Sequence, residues 1–128
     1  MKKAVLLTSE LMLFIFFAGC ASQHFAAIPP GLDRSTVPQK TITMTAERYH
    51  FTPDEIHVKQ GTLVRLEITS IEGTHGFKLS DFGIDERLDE GKTVTVEFYA
   101  QKKGEYGFRC SHFCGIGHLG MTGKIIVE

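Results

Sequence analysis

Two thiols, an imidazole and a thioether fall within twelve residues near the C-terminus, at Cys110, Cys114, His118 and Met121. These soft donors select copper over hard cations. One cysteine with one histidine and one methionine would describe a single electron-transfer copper. The second cysteine implies more than one metal ion. A further side-chain donor is expected from elsewhere, and Thr74-His75-Gly76-Phe77 places a histidine between two strand-like runs, where neighbouring strand ends can meet.

Other chemistries fit the same residues less completely. A Cys110–Cys114 disulfide would close only a short loop, with a small entropic gain, and it leaves His118 and Met121 unexplained. Zinc could take Cys110, Cys114, His118 and His75 in a tetrahedral site, but its paired cysteines are usually closer in sequence and methionine is not a zinc ligand. Met121 can also be read as core filling at the start of a strand, and His75 as an ordinary turn residue. His50 and His57 read as surface residues of strands or turns, and His24 as a solvated residue. Tyr49, Phe51, Phe77 and Phe108 read as core rather than as redox relays.

The elements that must hold this loop are strands. Thr41 to Thr45 and Glu55 to Val58 alternate polar and apolar residues. Val64, Leu66 and Ile68 alternate with Arg65, Glu67 and Thr69, and Val94, Val96 and Phe98 with Thr95, Glu97 and Tyr99. Period-two alternation predicts half-buried antiparallel strands. Short strands of this kind, with no amphipathic helix after residue 40, predict an all-β sandwich. Tyr106 and Phe108 place a strand that delivers Cys110 to the sandwich rim, and Met121 opens a last strand through Ile125-Ile126-Val127. The run from Asp85 to Gly91 is too charged for a core strand and is expected to be a surface loop or turn.

The 128 residues suffice for one domain, and 42% hydrophobic with 23% charged residues is ordinary globular composition. A formal charge of −1 without a Lys/Arg stripe argues against nucleic acid as a partner. Lys2 and Lys3 precede a largely apolar stretch from Ala4 to Ala18, followed by small residues. As a helix that stretch would reach about 22 Å, short of the roughly 30 Å bilayer core, so residues 1–19 read as a secretory signal. Phe17-Ala18-Gly19-Cys20 resembles the lipobox of bacterial lipoproteins, which implies acylation of Cys20, export to the periplasmic side and a lipid anchor in the membrane. Residues 20–40, with Pro29, Pro30, Gly31 and Pro38, read as a tether, and residues 41–128 as the folded domain.

The pattern Cys-x3-Cys-x3-His-x2-Met with an upstream His-Gly-Phe resembles the binuclear CuA domain of cytochrome c oxidase subunit II and nitrous-oxide reductase. Tyr49 to Gly61, with Pro53, Ile56 and Val58, is similar to cupredoxins in general. The resemblance implies a Greek-key cupredoxin β-sandwich holding two copper ions bridged by Cys110 and Cys114. His75 and Met121 would complete one copper, and His118 and the backbone carbonyl of His112 the other. Oxidase subunits usually carry glutamate at the position of His112. They also usually have N-terminal membrane helices, and a tryptophan that receives the electron; this chain has no tryptophan. The implied function is a membrane-tethered relay from a c-type cytochrome or similar donor to a membrane oxidase. No Cys-x-x-Cys-His haem motif is present, so the chain is read as a relay that is not catalytic alone. The alternative is a copper-delivery protein for oxidase assembly.

Overall fold

A computed structural model describes residues 26–128. Among these residues the chain forms nine strands: β1 (Gln39–Glu47), β2 (His50–Thr52), β3 (Glu55–Val58), β4 (Leu63–Ser70), β5 (His75–Leu79), β6 (Ile84–Leu88), β7 (Thr93–Tyr99), β8 (Gly104–Arg109) and β9 (Thr122–Val127). Two 3-10 turns, Ser80–Phe82 and His118–Gly120, are the helical elements. The strands build two sheets, ordered β2-β1-β4-β7 and β3-β9-β8-β5-β6, which face each other across one apolar core.

The expected all-β sandwich is present, and its strands follow the alternation that defined them. In β4, Val64, Leu66 and Ile68 are buried while Arg65 is exposed. In β8, Tyr106 and Phe108 point inward and Glu105, Gly107 and Arg109 outward. Most pairings are antiparallel, but β1 runs parallel to β4 and β3 parallel to β9. Alternation identifies which face of a strand is buried, not the direction of its neighbour. After β2 the chain switches sheets, so strands close in sequence do not all pair with one another.

The run from Asp85 to Gly91 departs from the loop expected of it. Ile84–Leu88 is a strand, paired antiparallel with β5 in the register His75↔Leu88 to Leu79↔Ile84. It lies at the edge of the five-stranded sheet, with Asp85, Glu86 and Arg87 exposed and Ile84 and Leu88 buried at its ends. Charge is compatible with an edge strand because, among the described residues, one side has no paired strand, and it discourages pairing with other chains.

Aromatic packing fixes the two ends of the core. Phe51, Phe77 and Phe108 form one cluster, with ring centroids 5.2–5.9 Å apart. Phe82 packs on Phe98 and Tyr106 in a second, at 4.8 and 5.2 Å. The first cluster supports the metal-binding end, since Phe77 follows His75 by two residues and Phe108 precedes Cys110 by two.

β1 starts at Gln39, two residues before the boundary expected from the sequence. Residues 26–38 are seated against the four-stranded sheet. The carbonyl of Ala27 accepts from Tyr99 N–H at 2.7 Å, that of Pro38 accepts from Leu63 N–H at 2.8 Å, and Arg34 pairs with Glu97. The signal segment 1–19, Cys20 and His24 lie outside the described residues. No helix among the described residues is long and apolar enough to cross a membrane.

Candidate metal centre

β8 ends at Arg109 and β9 begins at Thr122, and these neighbouring strands carry the two ends of the Cys110–Met121 loop. The loop is closed at its base by Cys110 N–H donating to the Met121 carbonyl at 2.9 Å. Its distal half is wound into turns, with His118 N–H on the Gly115 carbonyl at 3.1 Å and Met121 N–H on the His118 carbonyl at 3.2 Å. Rigid strands at both ends and turns within suit a site that must hold ligand geometry.

His75, Cys110 and Cys114 bring their donor atoms within 4.8 Å of one another. The two sulfurs are 3.6 Å apart and remain free thiols. Cys114 Sγ also lies 3.6 Å from His118 Nδ1 and 3.9 Å from Met121 Sδ. Cys110 Sγ is 3.1 Å from the His112 carbonyl oxygen. All six positions expected from the sequence therefore converge on one place. His50 and His57 stay outside it on the surface, where they contact Glu47 and Glu55.

The donor set has an unmet valence that a metal would fill. His75 is fully buried, and its Nε2 lies 2.7 Å from the Glu72 carbonyl. A carbonyl only accepts, so Nε2 carries the proton and Nδ1 presents its lone pair. That Nδ1 is buried with no hydrogen-bond partner. Leaving a buried polar atom unsatisfied costs about 1–3 kcal/mol, and a metal beside the two sulfurs would remove that cost. An imidazole whose other nitrogen is held by a carbonyl is the usual oriented metal ligand.

The sulfur chemistry agrees. Burial, and then the neighbouring Cys110 sulfur, push the Cys114 thiol up to about 11 from an ordinary 9.0. Two sulfurs this close resist sharing negative charge unless a cation lies between them, and a bound metal deprotonates a coordinating thiol outright. Soft donors at this density fit copper.

Several supporting contacts were not singled out for this role in the sequence. Gly76 N–H points at Cys110 Sγ from 3.4 Å. A β-carbon on Gly76 would overlap the Ser111 hydroxyl and lie 2.7 Å from His112 N, so the strand and the loop touch through a bare α-carbon. The Ser111 hydroxyl donates to Asp85 Oδ1 at 2.6 Å. On the other side, the Tyr49 ring packs on Gly115 and Gly117. Arg48 pairs with Glu72 at 3.6 Å beside the turn that carries His75. The His112 side chain turns outward to Arg87, whose Nη1 is 3.4 Å from His112 Nδ1. The sequence signal for Gly76, Gly115 and Gly117 is glycine within or beside a ligand stretch; Asp85 offers none.

Comparison with known proteins places this geometry among relatives. The family model described as a cupredoxin-like domain matches residues 10–127. A cytochrome c oxidase subunit 2 of Thermus thermophilus is 29% identical over 99% of this chain and 91% of its own length. A nitrous-oxide reductase of Ralstonia nicotianae is 32% identical over 69% of this chain, but only 14% of that protein is covered. Among solved structures, a chain of a heme-copper terminal oxidase dimer superposes with a TM-score of 0.68 at 28% identity, covering 76% of this chain and 69% of that one.

Proposed function

The chain belongs to the cupredoxin-like domain family and is homologous to cytochrome c oxidase subunit II and nitrous-oxide reductase; from that premise we propose that it is a binuclear copper electron relay of the CuA kind. The observation that carries the reading is the pair of sulfurs 3.6 Å apart beside buried His75, whose ring offers a nitrogen within 4.8 Å of both and whose Nδ1 has no hydrogen-bond partner. Cys110 and Cys114 would each serve both ions, His75 and Met121 would complete the ligands of one, and His118 and the His112 carbonyl those of the other. Held there, two coppers would supply one-electron transfer at a low reorganisation cost.

The protein's own part is to hold these donors still. His75 and Met121 are fully buried and Cys110 is 1% exposed, so three of the ligands cannot swing out without opening the core. That burial favours a relay over copper delivery, which needs ligands that exchange. Thioether and carbonyl oxygen are weak donors that tune potential more than they retain the ion.

Around the loop, Phe113, Ile116 and Leu119 expose large apolar side chains, with the Phe113 ring 5.6 Å from the His118 ring. An apolar rim beside a ligand imidazole suits brief docking of a redox partner, since exposed apolar patches mark interaction sites. The proposed donor is a c-type cytochrome or similar carrier, and the acceptor a membrane oxidase. Acylated Cys20 would hold the exported domain at the periplasmic side of the membrane, because two or more acyl chains give stable attachment. Mass spectrometry of the mature protein tests the anchor, and an unmodified Cys20 would remove it.

Copper titration with EPR tests the centre. Two coppers per chain, a purple colour and hyperfine splitting over two equivalent ions are expected. A one-copper blue spectrum, or a colourless cuprous form that yields its metal to a chelator, would overturn the relay.

A further inference from the structure

Between the charged edge strand and the ligand loop runs a connection that makes no contact with the donor atoms themselves. Ser111 directly follows Cys110 and donates its hydroxyl to Asp85 Oδ1 at 2.6 Å. Asp85 sits on β6, and its other oxygen accepts from Lys78 Nζ on β5 at 3.1 Å. The bond to Ser111, and then that to Lys78, hold the Asp85 carboxyl below the usual carboxylate range. A hydrogen bond to an ionised acceptor is about twice as strong as a neutral one.

The same three-residue stretch is fixed from a second side. Gly76 has no β-carbon because Ser111 and His112 occupy its place, and Gly76 N–H reaches Cys110 Sγ. Cys110, Ser111 and His112 are thus gripped between β5 and the Asp85 carboxylate. The orientation of this stretch decides where the His112 carbonyl points, at present 3.1 Å from Cys110 Sγ. We infer that Asp85 is a positioning residue for the metal centre: through Ser111 it clamps the Cys110–His112 backbone and so aims the His112 carbonyl and the Cys110 sulfur. The role at the copper rests on the proposed function; the clamp itself is a property of the metal-free protein.

The test uses the mature protein with Ser111→Ala, Asp85→Ala, Asp85→Asn and the Ser111→Ala/Asp85→Ala pair. The first readout is Cys110 alkylation by iodoacetamide in the reduced, metal-free protein, followed by peptide mass. Cys110 is 1% exposed and reacts only when the stretch opens. Loss of a hydrogen bond to a charged group should raise that opening about tenfold. The second readout is the optical and EPR spectrum after copper loading. Ser111→Ala and Asp85→Ala are expected to show the same faster alkylation and the same spectral shift, and the double variant no more than either. Asp85→Asn keeps an acceptor oxygen for the hydroxyl but a neutral one, so a smaller rise of about threefold is expected, half the free energy of the alanine variants. Unchanged alkylation and spectrum in Ser111→Ala would overturn the clamp, as would an effect of Asp85→Ala that Ser111→Ala lacks. If an alanine variant fails to fold, a rise of about threefold in Asp85→Asn supports the clamp, and alkylation at the parent rate overturns it. Failure of the parent protein to bind copper would instead sink the relay while the alkylation result still decides the clamp.

Discussion

The ring of Tyr49 lies against the bare α-carbon of Gly117, occupying the space a β-carbon would need. Tyr49 belongs to the turn between β1 and β2, whereas Gly117 immediately precedes ligand His118. The aromatic therefore sets how deeply the distal half of the ligand loop can sink.

Gly117→Ala is expected to destabilise the fold by about 1–3 kcal/mol, the range for forcing an extra methyl into a packed contact, and to disturb the His118 ligand. Gly117 has an ordinary φ of −84°, so its difficulty is space alone. Adding Tyr49→Ala should recover much of the lost copper binding in Gly117→Ala. Gly115 also meets the Tyr49 hydroxyl, but its φ of +131° is hard for any side chain. Tyr49→Ala should therefore rescue Gly115→Ala far less. Thermal melts and copper stoichiometry of the two pairs check this; equal rescue at both positions would contradict it.

Cys110→Ser and Cys114→Ser should each abolish the two-copper centre. Each sulfur is expected to bridge both metal positions, and a hydroxyl is a poor substitute for a soft thiolate. Copper-to-protein ratios and EPR provide the measurement. Two coupled coppers surviving in either variant would contradict the bridging assignment.

The donors were legible in the sequence because their chemistry is local. Cys110, Cys114, His118 and Met121 share one loop, and soft side chains at that density have few bland explanations. His75 is legible as a histidine between two strand-like runs, where neighbouring strand ends can meet. The strands were legible from alternation. The contacts between distant segments were not. Asp85 lies 26 positions before Ser111, within a charged run that reads as a solvated loop, and only sheet pairing makes it an edge strand beside the centre. Tyr49 reads as core because aromatics usually are core; what it packs against depends on β1 and β2 meeting the loop. The parallel pairing of β1 with β4 is hidden for the same reason, since burial patterns carry no strand direction.

The raised Cys114 thiol gives the metal-free protein a distinct response to alkali. Its folded-state value of about 11 lies above the ordinary 9.0, so the folded form holds this proton more tightly than the unfolded chain. The resulting stability is fully present below about pH 9 and is lost as pH rises through about 11. Urea midpoints of the reduced, metal-free protein should fall more steeply across that window than those of Cys114→Ser. The copper-loaded parent should not show that fall, because copper uptake has already released the thiol protons. Parallel slopes in the metal-free proteins would contradict the shift.

Met121→Leu separates ligand from core filler. Met121 is fully buried beside Cys114, its sulfur 3.9 Å from Cys114 Sγ, and its carbonyl closes the loop base on Cys110 N–H. Leucine keeps nearly the same volume, so the fold should lose less than about 1.5 kcal/mol, and the backbone closure is untouched. If the thioether is a weak donor, copper stays bound through Cys110, Cys114, His75 and His118 while the reduction potential and the spectrum shift. Redox titration beside a copper count measures both. Unchanged potential with full copper would make Met121 core filler alone, and complete loss of copper would make the thioether essential for holding the ion.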